Sequence, residues 1–200
     1  MYAQKGDRLF RPRQQGRPGL LTDPSAVTGI EDPIVAWELY GLGYRRAADL
    51  LLGKALDEHP SHCLIYPIVF LSRHYVELCL KALVLNGSAL VEDETPVVLY
   101  HRLQMLWGKL RPLVPAVWPG VQPDQLEAIE ACFNEMHEID RKSMAFRYPF
   151  DRQGNQHLGS LSSIDLLNLR ETMDGIANFL FCVGEAIAQQ LEWQSGSSHL

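Results

Sequence analysis

Cysteine is scarce in this chain and nowhere paired in sequence: Cys63, Cys79, Cys132 and Cys182 stand alone, with no C-x-x-C among them. That spacing excludes a zinc ribbon and argues against a disulfide frame. Each cysteine lies in or beside an apolar helical pattern and is expected as a reduced core residue of a cytoplasmic protein. Long apolar runs free of charge are also missing. The greasiest stretch, Leu64 to Leu85, carries Arg73, His74, Glu77 and Lys81 at its centre, which argues against a membrane span and a membrane partner. Met1 to Leu20 holds no continuous apolar core, so no secretory signal is expected there. No histidine follows a glutamate by three residues, which removes the di-iron pattern of helical bundles. His59-x-x-His62 falls in a turn beside Pro60, where a solvated pair is expected rather than a metal site. A G-x-S-x-G elbow and a phosphate-cradling glycine loop are both absent, so neither that form of nucleophilic catalysis nor a nucleoside-triphosphate loop is indicated. No cofactor and no metal are expected.

What is present suffices for one core. Two hundred residues, 46% hydrophobic and 21% charged, fit a single globular domain better than two small ones. Charge is unevenly placed. Residues 1–23 hold five cations against Asp7 and Asp23, a balance of +3, which leaves −9 for the rest of a chain whose net charge is −6. Rich in Pro, Gly and Gln, residues 1–30 read as a basic, flexible arm. Residues 31–194 read as the helical domain and 195–200 as a flexible tail.

Helical signals dominate the domain. Asp32 before Pro33 marks a helix start by cap and N1 proline, and a first helix is expected to Glu58 with Trp37, Tyr40, Tyr44, Ala48, Leu51 and Ala55 facing inward. Gly41 and Gly43 suggest a close helix crossing. The second helix, from Leu64, is expected to stop at Asn86-Gly87. Leucines at 99, 103, 106, 110 and 113 mark a third helix, and Asp124 to Ile139 a fourth. Ser162 with Asp165 gives a capping-box start for a last helix reaching about Trp193. The expected class is all-α, a single five-helix bundle of up-and-down type with a long loop before the last helix.

Two features stand out from that frame. On the second helix Arg73, Glu77 and Lys81 stack one above another with His74 beside them, a polar stripe on an apolar rod. Buried ionisable groups must find partners, so the stripe is either a satisfied network or a site. The second feature is the connection from Asp140 to Leu161, more than twenty residues long, in which Arg141, Arg147 and Arg152 interleave with Phe146, Tyr148 and Phe150. Cations alternating with rings suit phosphates and stacked bases. The other reading is a lid on the bundle end, with Phe146 and Tyr148 plugging the core and Arg147 paired to a buried acid.

The string Leu71-Ser72-Arg73-His74-Tyr75-x-Glu77-Leu78-x-Leu80-Lys81, then His101-x-Leu103-x-x-Leu106-Trp107, then Asp140-x-x-Ser143-x-x-Phe146-Arg147-Tyr148-Pro149 resembles bacterial HEPN-like helical proteins over roughly residues 33–190. That resemblance implies an all-α, commonly dimeric bundle from toxin–antitoxin or antiphage defence systems. A homodimer, RNA or a nucleotide, and a cognate antitoxin or defence partner are the partners it implies. Many members are metal-independent endoribonucleases in which an arginine and a histidine separated by four to six residues form the active motif near the final helix. Here Arg152-x-x-x-x-His157 has the spacing but lies in the loop, and the final helix has Arg170 and no histidine.

The chemistry explains that pairing. Cleavage through a 2′-OH needs a group that takes a proton near neutral pH and a permanent cation for the phosphorane. Candidate catalytic residues are therefore His74, Arg73, His101, Arg147, His157 and Arg152. Glu77, Lys81, Asp140, Ser143 and Tyr148 are candidates for binding or orienting. Two functions remain open: a phosphate or RNA binder, with or without cleavage by this chemistry, is the first, and a non-catalytic dimerisation or partner-binding module the second. One shared open cleft for Arg73, His74, His101 and Arg147 favours the first; burial of the two arginines against Glu77 and Asp140 favours the second.

Overall fold

In the computed structural model the described residues are 32–57, 62–91, 101–159, 161 and 163–197. The basic arm, the His59-Pro60-Ser61 link, Leu99 and Ser162 lie outside them. The described residues form an all-helical bundle. In chain order these are α1 Pro33–Asp57, a 3-10 turn His62–Leu64, α2 Ile65–Val91, α3 Leu103–Leu110, the single turn α4 Val114–Val117, α5 Pro123–Ile139 and α6 Leu166–Ser197. None of these helices is long and apolar enough to cross a membrane.

The starts follow local chemistry. Asp32 Oδ1 accepts the Ile34 N–H at 2.8 Å, capping α1 as its Asp-Pro pair predicts. At α5 the Gln125 side chain reaches back 3.1 Å to the Gln122 N–H, and Pro123 occupies a first-turn position where no donor is needed. Asp165 caps α6 directly: its Oδ1 accepts from Leu167 at 2.9 Å and Asn168 at 3.0 Å, so it is the cap itself and not the third residue of a capping box.

Helix α2 is the spine of the bundle, packing on α1, α3 and α6, while α3 also packs on α5. It runs four residues past the expected stop at Asn86-Gly87. Gly87 is buried, and a β-carbon there would meet Leu113 Cδ1 at 3.0 Å and Ile187 Cδ1 at 3.6 Å. The glycine thus serves close packing inside a continuing helix and does not end it. Gly41 acts in the same way where α1 crosses α2: its missing β-carbon faces Cys79 and Leu78 at 3.6–3.7 Å, whereas Gly43 faces nothing.

The core is built from Val76, Leu80 and Val84 of α2, Leu106 and Trp107 of α3, Phe133 of α5, and Ile176, Leu180 and Val183 of α6. Trp107 meets Phe133 edge-on at 5.4 Å and Phe179 at 6.0 Å, a geometry aromatic rings prefer. On α1 the buried positions are Gly41, Ala48 and Leu52, and Tyr40 is exposed, so the inner face is rotated from the one expected. Two cysteines also differ from expectation. Cys63 and Cys182 are exposed and Cys79 and Cys132 partly buried, all four as free thiols.

Candidate functional site

The polar stripe is buried and closed on itself. Arg73 is 1% exposed, Glu77 2% and Lys81 4%, so three formal charges lie inside the bundle. Glu77 is their hub. Its Oε2 accepts from Arg73 Nη1 at 3.2 Å and its Oε1 from Lys81 Nζ at 3.0 Å, the i and i+4 contacts that helical spacing dictates. Oε1 also lies 2.9 Å from His101 Nδ1. Because an ionised carboxylate only accepts, Nδ1 carries the hydrogen and Nε2 is the remaining imidazole nitrogen. A second Arg73 donor, Nη2, reaches the His101 carbonyl at 3.2 Å and fixes the chain where it enters α3. Lys81 additionally sits over the Trp37 ring at 5.3 Å, which ties α1 to the hub.

Burial alone would raise the Glu77 pKa, but the hydrogen bonds from His101 and Lys81 and the charges of Lys81 and Arg73 outweigh it and hold the carboxyl below its ordinary 4.5. His74 belongs to a different environment. It lies edge-on to Tyr44 at 4.4 Å and stacked on Phe70 at 5.8 Å. Burial lowers its pKa from 6.5; the Glu77 charge opposes this, and Lys81, Arg73 and Arg147 add to the lowering. Both shifts make stability fall with acid. Each group has a folded pKa below its unfolded one, so its contribution is present above the unfolded value and lost as pH falls through the folded value. Urea unfolding measured across pH is expected to show stability declining below about 6.5 and again below about 4.5. In His74→Gln the upper slope is expected to become shallower, with His137 keeping a share, and in Glu77→Gln the lower one, with Asp151 keeping a share.

The loop from Asp140 to Leu161 is ordered by its own carboxylates. Asp140, 3% exposed, turns its Oδ1 to the backbone N–H groups of Met144 at 2.6 Å and Ala145 at 3.0 Å. Ser143 adopts a positive φ of 56° in that turn, and its carbonyl accepts from Arg147 Nε at 2.5 Å. Asp151 then knots the tip. It accepts from the N–H groups of Gln153 and Asn155, each at 2.8 Å, and from the Asn155 side chain at 3.0 Å, while Gly154 supplies the left-handed φ of 85°. The Asn155 hydrogen bonds hold the Asp151 carboxyl below its usual range.

Of the two expected plugs only Phe146 is buried; Tyr148 is 50% exposed and Phe150 53%. Arg147 has no acid partner among the described contacts. Its guanidinium lies 5.3 Å from the Phe70 ring centre and 5.8 Å from that of Tyr148. Tyr148 stands between two adjoining clefts. One, of about 430 Å³, is lined by Tyr66, Arg147 and Gln156; the other, of about 970 Å³, by Arg141, Lys142, Phe150, Arg152 and His157.

The candidates thus divide. Arg73, Glu77, Lys81 and His101 form one network; Arg147 and Tyr148 share a surface with Arg152 and His157; His74 lies near Arg147 through Phe70. Phe70 and Tyr66 were not singled out by sequence reasoning, since a ring on an apolar helix carries no signal of what will pack on it. Nucleophilic chemistry at Cys79 is disfavoured, because burial pushes its thiol up to about 11. Among the described residues no cluster of His, Cys, Asp and Glu could hold a metal ion. Comparison with family models, curated proteins and solved structures finds no match to this chain.

Proposed function

We propose that the chain is a HEPN-like module that binds single-stranded RNA along the 141–157 loop, with the striped helix as an internal strut. The observation that carries this reading is the half-exposed Tyr148 ring between two clefts, with cations on both sides. Residues 141–152 hold Arg141, Lys142, Arg147 and Arg152 against the single carboxylate of Asp151, in a chain of net charge −6. Such a local excess suits a phosphate backbone, and exposed rings beside it suit stacked bases of any sequence. If cleavage accompanies binding, His157 is the base this surface offers and Arg152 the cation for the phosphorane, since both line the larger cleft.

The non-catalytic reading is supported by a separate observation. Arg73 and Lys81 both turn their donors to Glu77 inside the bundle, so the stripe presents no exposed charge to a substrate. The test is retention and cleavage of a mixed single-stranded RNA pool by purified protein in excess chelator. Retention is expected to weaken about 50-fold between 50 and 200 mM salt if all four cations meet phosphates. Products with 2′,3′-cyclic phosphate that vanish in His157→Ala would identify a metal-independent nuclease. Retention without products would identify a binding module. No retention at low salt would overturn the proposal.

A further inference from the structure

The corner where α3 starts beside the end of α5 gathers more cations than acids. Three contacts fix the register of the two helices. Arg111 Nε lies 2.8 Å from Glu130 Oε2, Trp107 packs on Phe133, and Gln104 Nε2 donates to Asn134 Oδ1 at 2.8 Å. Each step back toward the start of α3 meets a later residue of α5, so the helices run antiparallel. Arg102, the N-cap of α3, therefore comes level with the last turn of α5, which holds His137, and Arg141 lies just beyond that helix end. The charges acting on the His137 ring agree. Burial and then Arg141, Arg102 and the buried Arg73 lower its pKa from 6.5, and Glu138 of its own helix is the opposing acid.

Arg102 and Arg141 are exposed, and neither guanidinium has an ion pair or hydrogen bond among the described residues. Arg73 is already matched by Glu77. Setting Arg102 and Arg141 against Glu138 leaves a balance of +1, beside an imidazole that gains a proton more readily when an anion approaches. Helix α3 adds to the field, since no side chain caps its first-turn N–H groups. The backbone that presents Arg102 is firmly held, with Arg73 Nη2 on the His101 carbonyl at 3.2 Å and Glu77 on the His101 ring at 2.9 Å.

Donors and charge define the occupant. Each guanidinium fork offers parallel N–H groups, and with the imidazole these outnumber the two free oxygens of a phosphodiester and suit the three of a monoester. A monoester dianion also balances the corner once His137 takes its proton. We propose that Arg102, His137 and Arg141 form a binding site for a phosphate monoester dianion, carried by a free nucleotide or by the phosphorylated end of a strand in the adjoining cleft. Arg141 and Glu138 line that cleft too, which places the corner at its rim. A free monoester binds here whether or not RNA binds the loop.

Methyl phosphate is the probe and dimethyl phosphate the diester control, followed through the imidazole Cε1–Hε1 signals of the full chain. Methyl phosphate is expected to bind about tenfold tighter than dimethyl phosphate and to move the His137 titration to higher pH, because an anion favours the imidazolium. Arg102→Gln is expected to weaken binding about tenfold with the unfolding transition unchanged, since the side chain is exposed. Arg46→Gln, at an exposed cation of α1, is expected to leave binding as it is. A 5′-phosphorylated ten-nucleotide RNA that binds tighter than its 5′-hydroxyl form assigns the site to strand ends; equal binding of the two, with methyl phosphate bound, assigns it to free monoesters. Loss of RNA retention with methyl phosphate still bound would count against the loop reading alone. No methyl phosphate binding at millimolar concentration would overturn the proposal. So would dimethyl phosphate binding equally well, Arg102→Gln binding unchanged, or a His137 titration that stays in place.

Discussion

Glu77→Ala is expected to destabilise the protein by about 3–5 kcal/mol, the cost of leaving buried charges without their partner. Both cations that the carboxylate serves are inside: the Arg73 side chain is 2% exposed and the Lys81 side chain 5%. Neither reaches water without moving a helix. A domain of this size is stable by about 5–15 kcal/mol, so the variant loses a large share of its margin. Urea unfolding followed by far-ultraviolet circular dichroism measures it. The triple variant Arg73→Met, Glu77→Leu, Lys81→Met is expected to regain most of the loss, because apolar side chains of similar volume replace a buried ion cluster at little cost. A loss below 1 kcal/mol in Glu77→Ala would mean that solvent reaches the cations and that the stripe is not sealed. His101→Ala offers a scale, since its ring is 72% exposed and about 1 kcal/mol is expected.

The second large effect is on binding. Tyr148→Ala is expected to weaken single-stranded RNA binding by about 1–3 kcal/mol, the worth of one base stacked on an aromatic ring. Because half of the ring is exposed, stability is expected to change little. Arg147→Ala removes a phosphate contact and the cation that packs against Phe70 and Tyr148, so it is expected both to weaken binding and to flatten the salt dependence by roughly one contact. Fluorescence anisotropy with a labelled ten-nucleotide RNA at two salt concentrations reads both effects. Equal binding by wild type and Tyr148→Ala would exclude the ring as a stacking platform.

Much of this was legible in local sequence. Asp32-Pro33 and the Ser162 to Asp165 pattern announce helix starts because caps act within three residues of themselves, although Asp165 proves to be the cap itself. The Arg73, Glu77, Lys81 contacts follow from helical spacing alone. The end of α2 was not legible, because Asn86-Gly87 reads as a C-cap until Leu113 and Ile187 are seen against the glycine. Nor was the role of Asp140, read as a binding or orienting residue or else as the buried partner of an arginine, and found organising backbone N–H groups. The division of Phe146 from Tyr148 depends on how a loop lies over a bundle end, and alternation of rings and cations says nothing about which ring goes in. A cavity of about 230 Å³ behind the loop, walled by Val69, Met136, Phe146 and Leu169, needed four segments distant in sequence to meet, so no local pattern could announce it.

The proposed functional surface is the loop and not the stripe, and amide chemical-shift mapping tests this most directly. In a titration of isotope-labelled protein with a single-stranded ten-nucleotide RNA, shifts are expected at residues 141–157, strongest at Arg147 and Tyr148, with Arg73, Glu77 and Lys81 unmoved. Shifts centred on His74, His101 and the buried stripe, or none anywhere at low salt, would contradict it.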